Sequence, residues 1–184
     1  MSIGMKRQTV YLEEHQAQWE EAAAETVDVI KRILSDTAVD VRHVGSTSIK
    51  SIPAKPIIDI AVGVKSYDEV LAKKAELEAA DIIFRFDERP QQLLFVMGDF
   101  ENDTRTHHIH VVMYDSTEWN DYINFSDYLN ENDEAAHEYA KLKLELARRF
   151  PNDRVAYTNG KSELISRLLG DAKKWRSRFE IRGK

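Results

Sequence analysis

Residues 57-IIDIAVGV-64 constrain the fold more than any other stretch of the chain. The run is short, β-branched and nearly continuous in apolar character, which predicts a central strand covered on both faces. One carboxylate, Asp59, interrupts it. A carboxylate in a covered strand is costly unless it is paired, hydrogen-bonded or turned toward a cleft. Side chains alternate across a strand, so Asp59, Ala61 and Gly63 share one face while Ile58, Ile60 and Val62 share the other. The second set belongs to the core. The small neighbours of Asp59 predict open space above it and a ligand-facing surface.

The flanking segments supply the rest of a layered fold. Residues 13–34 carry one apolar stripe at helical spacing, and 38–44 read as a strand with Val39, Val41 and His43 on one side. The prolines of loop 46–56 interrupt any strand there. A helix over 66–80 opens on Ser66 and Glu69, a capping-box pair. Strands at 82–88 and 92–98 join at Arg89-Pro90, a polar turn fills 99–106, and 107–114 forms another strand. Asp115 with Glu118 starts a helical half, in pieces near 116–130, 133–149 and 161–180. This order predicts an α/β (α+β) mixed sheet with flanking helices, one domain over residues 1–184, mainly helical over 116–180.

Composition then narrows the function. No apolar run reaches membrane length, and the first residues lack a signal-like apolar core. The chain has no cysteine, which removes disulfides, thiolate chemistry and cysteine zinc sites, and a cytoplasmic location is the default expectation. A net charge of −6 argues against a polynucleotide as main partner. It is compatible with a small anion held by a local basic cluster.

Alternation places His108, His110 and Val112 on one face of the 107–114 strand. If that strand neighbours the Asp59 strand, Asp59, His108 and His110 converge. Two imidazoles and a carboxylate suit manganese, zinc or iron better than magnesium. A metal-free Asp–His brace and a metal-free substrate site are the alternatives. The turn Gly45-Ser46-Thr47-Ser48 offers amides and hydroxyls to a phosphate, or is a plain turn. Lys55 sits between Ala54 and Pro56, placed to neutralise phosphate, to pair with Asp59 or to face solvent. Arg42, Arg85 and Arg89 are further cations whose spacing does not unite them. Tyr139, Leu142, Leu146 and Phe150 form a core stripe, and Lys143, one turn from Tyr139, reaches a cleft or covers the packing surface. Lys173, Lys174, Arg176 and Arg178 read as a solvated helix end. The chain has no Walker loop, GxGxxG, GxSxG or HExxH motif.

Taken in order, 43-HVGSTSI-49, 54-AKPIIDIAVGV-64, 106-THHIHVV-112, 125-FSDYLNEN-132, 139-YAKLKLELA-147 and Tyr157 with Lys161 resemble the GrpB family, near the nucleotidyltransferase superfamily. The resemblance implies a nucleotidyltransferase-like fold, with Gly45-Ser46 at the phosphate-binding turn and Asp59 at the first metal-carboxylate position. It implies attack of a hydroxyl or phosphate oxygen on a nucleoside triphosphate, assisted by a divalent ion such as magnesium, manganese or zinc. The expected catalytic and metal-binding residues are Asp59, His108 and His110. Gly45, Ser46, Thr47, Ser48, Lys55 and Lys143 are the expected phosphate or nucleotide contacts, with Arg42, His43 and Lys161 as further candidates. Two departures weaken conventional two-metal chemistry. Ala61 stands where the superfamily places a second carboxylate, and Ser126 and Asn130 stand where the family helix FRDYLR has arginines. The expectation is a divergent, metal-dependent handler of a nucleotide or phosphorylated small molecule, or a non-catalytic nucleotide-binding or regulatory protein on the same scaffold. Neither nucleic acid nor membrane is an expected partner.

Overall fold

The computed structural model describes residues 3–85 and 91–182. The chain opens with a short strand β1 (Met5–Lys6) and helix α1 (Ala17–Leu34), followed by β2 (Ala38–Val44) and β3 (Ile58–Val64). Two short helices, α2 (Tyr67–Ala72) and α3 (Lys74–Glu78), lead to β4 (Ile83–Arg85), β5 (Leu93–Met97), β6 (Thr104–Arg105) and β7 (His107–Met113). Helices α4 (Thr117–Glu131), α5 (Asp133–Arg149), α6 (Arg154–Asn159) and α7 (Ser162–Arg182) complete the chain. Among the described residues, five strands form a mixed sheet in the order β2-β3-β7-β5-β4, and β1 pairs with β6 in a separate ribbon. β3 and β7 run parallel, with Asp59 opposite His108 and Ala61 opposite His110. The other neighbours are antiparallel.

One face of the sheet carries Ile58, Ile60, Val62, Phe95, Ile109 and Val111, packed on Trp19, Ala23, Ile30 and Leu34 of α1. Burial of each such side chain contributes about 1.5–3 kcal/mol, which accounts for the amphipathic pattern of α1. His107 falls on this face too, where its Nε2 shares a 3.2 Å hydrogen bond with Thr26 Oγ1. On the opposite face α4 lays Trp119 over Val44, Ala61 and Val112. Leu129, Ala136, Tyr139 and Leu168, from α4, α5 and α7, close over Ile49 and Ile52 of the loop after β2.

Several boundaries differ from expectation. β3 lies inside the sheet, but β7 takes its middle. The helix foreseen over 66–80 breaks at Lys73, although Ser66 does cap it by accepting from the Glu69 amide. Asp115 adopts φ +61° and Ser116 is the true cap of α4, accepting from Trp119 N at 3.2 Å. The polar turn 99–106 contains β6, and α6 occupies a segment with no foreseen helix. The Arg89-Pro90 junction and the end of the 82–88 strand lie outside the described residues.

The foreseen open surface beside Asp59 is corrected most clearly. Ala61 is fully buried. A Cβ at Gly63 would meet Tyr114 at 2.8 Å and Trp119 at 3.0 Å. Ala61 and Gly63 are small because aromatic rings press onto the sheet there, so the open part of this face is confined to the Asp59 end.

Candidate active site

Asp59 projects from β3 into a cavity of about 270 Å3, lined among others by Gly45, Ser46, Lys55, His108, Arg154 and Lys161. The parallel register sets both imidazoles beside its carboxylate. Oδ1 of Asp59 lies 3.3 Å from Nδ1 of His108 and 3.5 Å from Nε2 of His110. His108 lines the cavity, whereas His110 lies deeper, stacked on Tyr122 at 4.9 Å. The Tyr122 hydroxyl in turn donates to Gln92 Oε1. Burial pushes the Asp59 carboxyl up, but the hydrogen bonds to His108 and His110 outweigh it and hold the group well below the usual carboxylate range. Burial lowers His108 against the pull of Asp59, leaving a neutral imidazole beside an ionised acid.

Gly45 enables the approach of the turn to this carboxylate. With φ +71° and ψ −167° it adopts a backbone reserved for glycine. A methyl group there would stand 2.6 Å from Asp59 Oδ2. The turn is fixed from α4: Gly45 N donates to Ser126 Oγ at 3.1 Å, and Asn130 Nδ2 donates to the Ser48 carbonyl at 2.9 Å. The two positions where the resemblance implies arginines thus hold the turn in place.

The cations divide into three groups. Lys55 and Lys161 line the cavity and face the Tyr157 ring, at 5.4 and 4.4 Å, with no carboxylate in ion-pair contact among the described residues. Burial, with Arg154 and Lys161 nearby, lowers Lys55 to about 7. Burial also lowers Lys161, to about 8. Lys143 lines the same cavity but its Nζ donates to the Pro53 carbonyl at 2.7 Å, an anchor for the 46–56 loop. Arg42 points elsewhere, pairing with Asp127 at 3.4 Å in a separate cleft.

Other candidates turn away from Asp59. His43 lies on the α1 face of the sheet, and its Nε2 shares a 2.9 Å hydrogen bond with the buried Thr47 Oγ1. Ser48 Oγ donates to the Gly45 carbonyl at 2.7 Å. Of the four-residue turn, only Gly45 and Ser46 line the cavity. The C-terminal basic cluster is partly absorbed within the fold, Lys173 by Asp121 at 2.7 Å, Lys174 by Asp171 at 3.6 Å and Arg176 by Asn124 and Asp127. The sequence reading omitted Arg154, on α6, which lines this cavity and a neighbouring one. Its one signal was Asp153, which caps α6 by accepting from Ala156 N.

Asp59, His108 and His110 can each offer one ligand atom, all within 4.8 Å of one another. Charge-assisted hydrogen bonds are commonly about 2.7–2.9 Å, shorter than either Asp–His distance here. Ligands bound tetrahedrally at about 2.0–2.1 Å stand roughly 3.3–3.4 Å apart, close to the two Asp–His distances of 3.3 and 3.5 Å. The donor set could therefore hold one metal ion. It does not supply the second carboxylate of a two-ion site, because Ala61 is sealed beneath Trp119.

Among the described residues no helix is long and apolar enough to cross a membrane. The family model described as "GrpB protein" matches residues 9–171. The chain is 36% identical to the glutamate-rich protein GrpB of Alkalihalophilus pseudofirmus, over 92% of this chain and 99% of that one. A crystal structure of the conserved protein GrpB from Enterococcus faecalis superimposes with a TM-score of 0.82 at 31% identity, covering 90% of this chain and 99% of the other. The Cid1 poly(U) polymerase bound to magnesium 3′-dATP shares the fold at a TM-score of 0.54 and 15% identity, covering 81% of this chain and 49% of that protein. A mixed sheet with a nucleotidyltransferase-like fold, ending in a helical half, is thus combined with a half-buried Asp–His–His cluster, and the chain belongs to the GrpB family.

Proposed function

We propose that this chain is a metal-dependent enzyme acting on a nucleotide or another phosphorylated small molecule, as one nucleotidyltransferase-like domain. The observation that carries the reading is one cavity holding both a metal-type donor cluster and three cations, Lys55, Lys161 and Arg154, without ion-pair partners among the described residues. These three partly buried cations face a single carboxylate, Asp59, which leaves an excess of positive charge that is costly to hold, and a phosphate would offset it. Asp59, His108 and His110 would hold a divalent ion, which when bound stabilises negative charge developing on a phosphoryl oxygen. Lys55 and Lys161 bind and orient the phosphates from one wall, and Arg154 from α6 offers its guanidinium fork. Gly45 and Ser46 bring the turn against the carboxylate, and Tyr139 and Phe125 line the cavity beside them.

The test is thermal unfolding with zinc or manganese and with nucleoside triphosphates, followed by pyrophosphate and phosphate release for each stabilising pair. Stabilisation by the ion is expected to vanish in Asp59→Asn, and stabilisation by the triphosphate to vanish in Lys55→Met/Lys161→Met. Triphosphate binding unaffected by the lysine substitutions, together with metal binding unaffected by Asp59→Asn, would refute the reading. A second reading, binding without turnover, is favoured by the sealed Ala61 position, which denies the site a second ion. Stabilisation by a triphosphate with no product release under any ion would select it.

A further inference from the structure

Adjoining the Asp59 cavity lies a larger one, of about 740 Å3, into which Arg7, Arg85, Arg105 and Arg154 project. His108, Arg154 and Thr158 line both, so the two chambers share a wall. Three separate elements deliver the first three guanidiniums: the β1–α1 segment, β4 and β6. Arg85 and Arg105 lie over the same Phe100 ring, at 4.8 and 4.6 Å, which fixes two like charges near each other. Among the described residues one carboxylate answers them. Asp103 pairs with Arg7 at 3.8 Å and with Arg105 at 3.7 Å, both long contacts. Arg85 and Arg154 have no ion-pair partner there. The Arg105 side chain is only 12% exposed. Burial, together with Arg7, Arg85 and Arg154, opposes its charge despite Asp103.

Crowded guanidiniums with one weak counter-charge among the described residues are unfavourable, and a bound anion removes that cost. Guanidinium forks match the planar oxygens of carboxylates and phosphates. Leu94, Val96 and Val155 floor the basin with apolar surface, which suits an organic body more than a bare ion. We propose that this arginine basin binds the anionic group of a second, separate substrate, a carboxylate- or phosphate-bearing small molecule that meets the phosphate ligand at the shared His108–Arg154 wall. This rests on the phosphate reading of the Asp59 cavity only for the word "second"; the anion site stands on its own residues.

The test is equilibrium binding of inorganic phosphate to the full chain, with malonate as competitor. Wild type is expected to bind two phosphates per chain. Arg7→Gln/Arg85→Gln, at well-exposed side chains, should weaken one of them by about tenfold or more and leave the unfolding temperature intact. Arg105→Gln repeats the test from the buried side. Lys55→Met/Lys161→Met should abolish the other site and spare the arginine site. Displacement by malonate at the arginine site alone assigns a carboxylate, and its failure assigns a phosphoryl group. A single phosphate in wild type that is lost with the lysines and indifferent to Arg7→Gln/Arg85→Gln would overturn the inference. Loss of the arginine site with no effect of the lysine substitutions would instead sink the phosphate reading of the Asp59 cavity.

Discussion

Gly45→Ala is the substitution most directly set by the geometry. The residue's φ and ψ of +71° and −167° lie where a side chain costs about 1–3 kcal/mol. The new Cβ would stand 2.6 Å from Oδ2 and 2.9 Å from Cβ of Asp59, against ordinary contacts of 3.4 Å or more. The turn has little freedom to retreat, because Ser126 holds the Gly45 amide and Ser48 holds its carbonyl. Asp59 must therefore swing away from His108 and His110, forfeiting long hydrogen bonds that contribute about 1–2 kcal/mol together. The total, about 2–5 kcal/mol, corresponds to a fall of roughly 10 °C in Tm for a chain of this length. Urea unfolding measures it, and a cycle with Asp59→Ala isolates its origin. Removing the carboxylate deletes the Oδ2 contact and keeps the Cβ contact, so Gly45→Ala should be about 1 kcal/mol cheaper in that background, above the usual scatter of additivity. A cost below about 1 kcal/mol, or an identical cost in both backgrounds, would refute the reasoning.

Ala61→Asp, which restores the superfamily's second carboxylate, buries an unpaired charge under Trp119 and should cost about 3–5 kcal/mol without adding a metal equivalent; metal stoichiometry and urea unfolding check both halves. His43 and His107 are each held to about 4 by burial, so the unfolded chain binds more protons between pH 4 and 6.5 and stability should rise with pH across that window. His43→Asn should flatten the slope in urea titrations at pH 4.5, 5.5 and 7. Phosphate in the Asp59 cavity favours the charged forms of Lys55 and Lys161, whose values lie near 7 and 8. Its affinity should therefore fall as pH rises from 7 to 9, with proton uptake seen as buffer-dependent heats in calorimetry, and the single substitution Lys161→Met should weaken binding and shrink the dependence.

The Asp59–His108–His110 cluster was legible because it needs only strand alternation and one adjacency, and β7 does lie beside β3. Ala61 and Gly63 were misread because smallness has two physical causes, room for a ligand and close approach of a ring. Only the placement of Trp119 by α4 separates them. Thr47 and Ser48 have the side chains of a phosphate cradle and use them to brace a turn, a choice set by the distant Ser126 and the neighbouring His43. Arg154 and the arginine basin were invisible because their members are scattered over residues 7–154 and meet only through tertiary packing. These corrections change the electrostatics of the site in one direction. In the Asp59 cavity one carboxylate faces Lys55, Lys161 and Arg154. On the function proposed above, the cavity would be complementary to phosphate before any ion binds. On that same proposal, Lys55 and Lys161 would govern phosphate affinity, and the ion would be left to act on the chemistry.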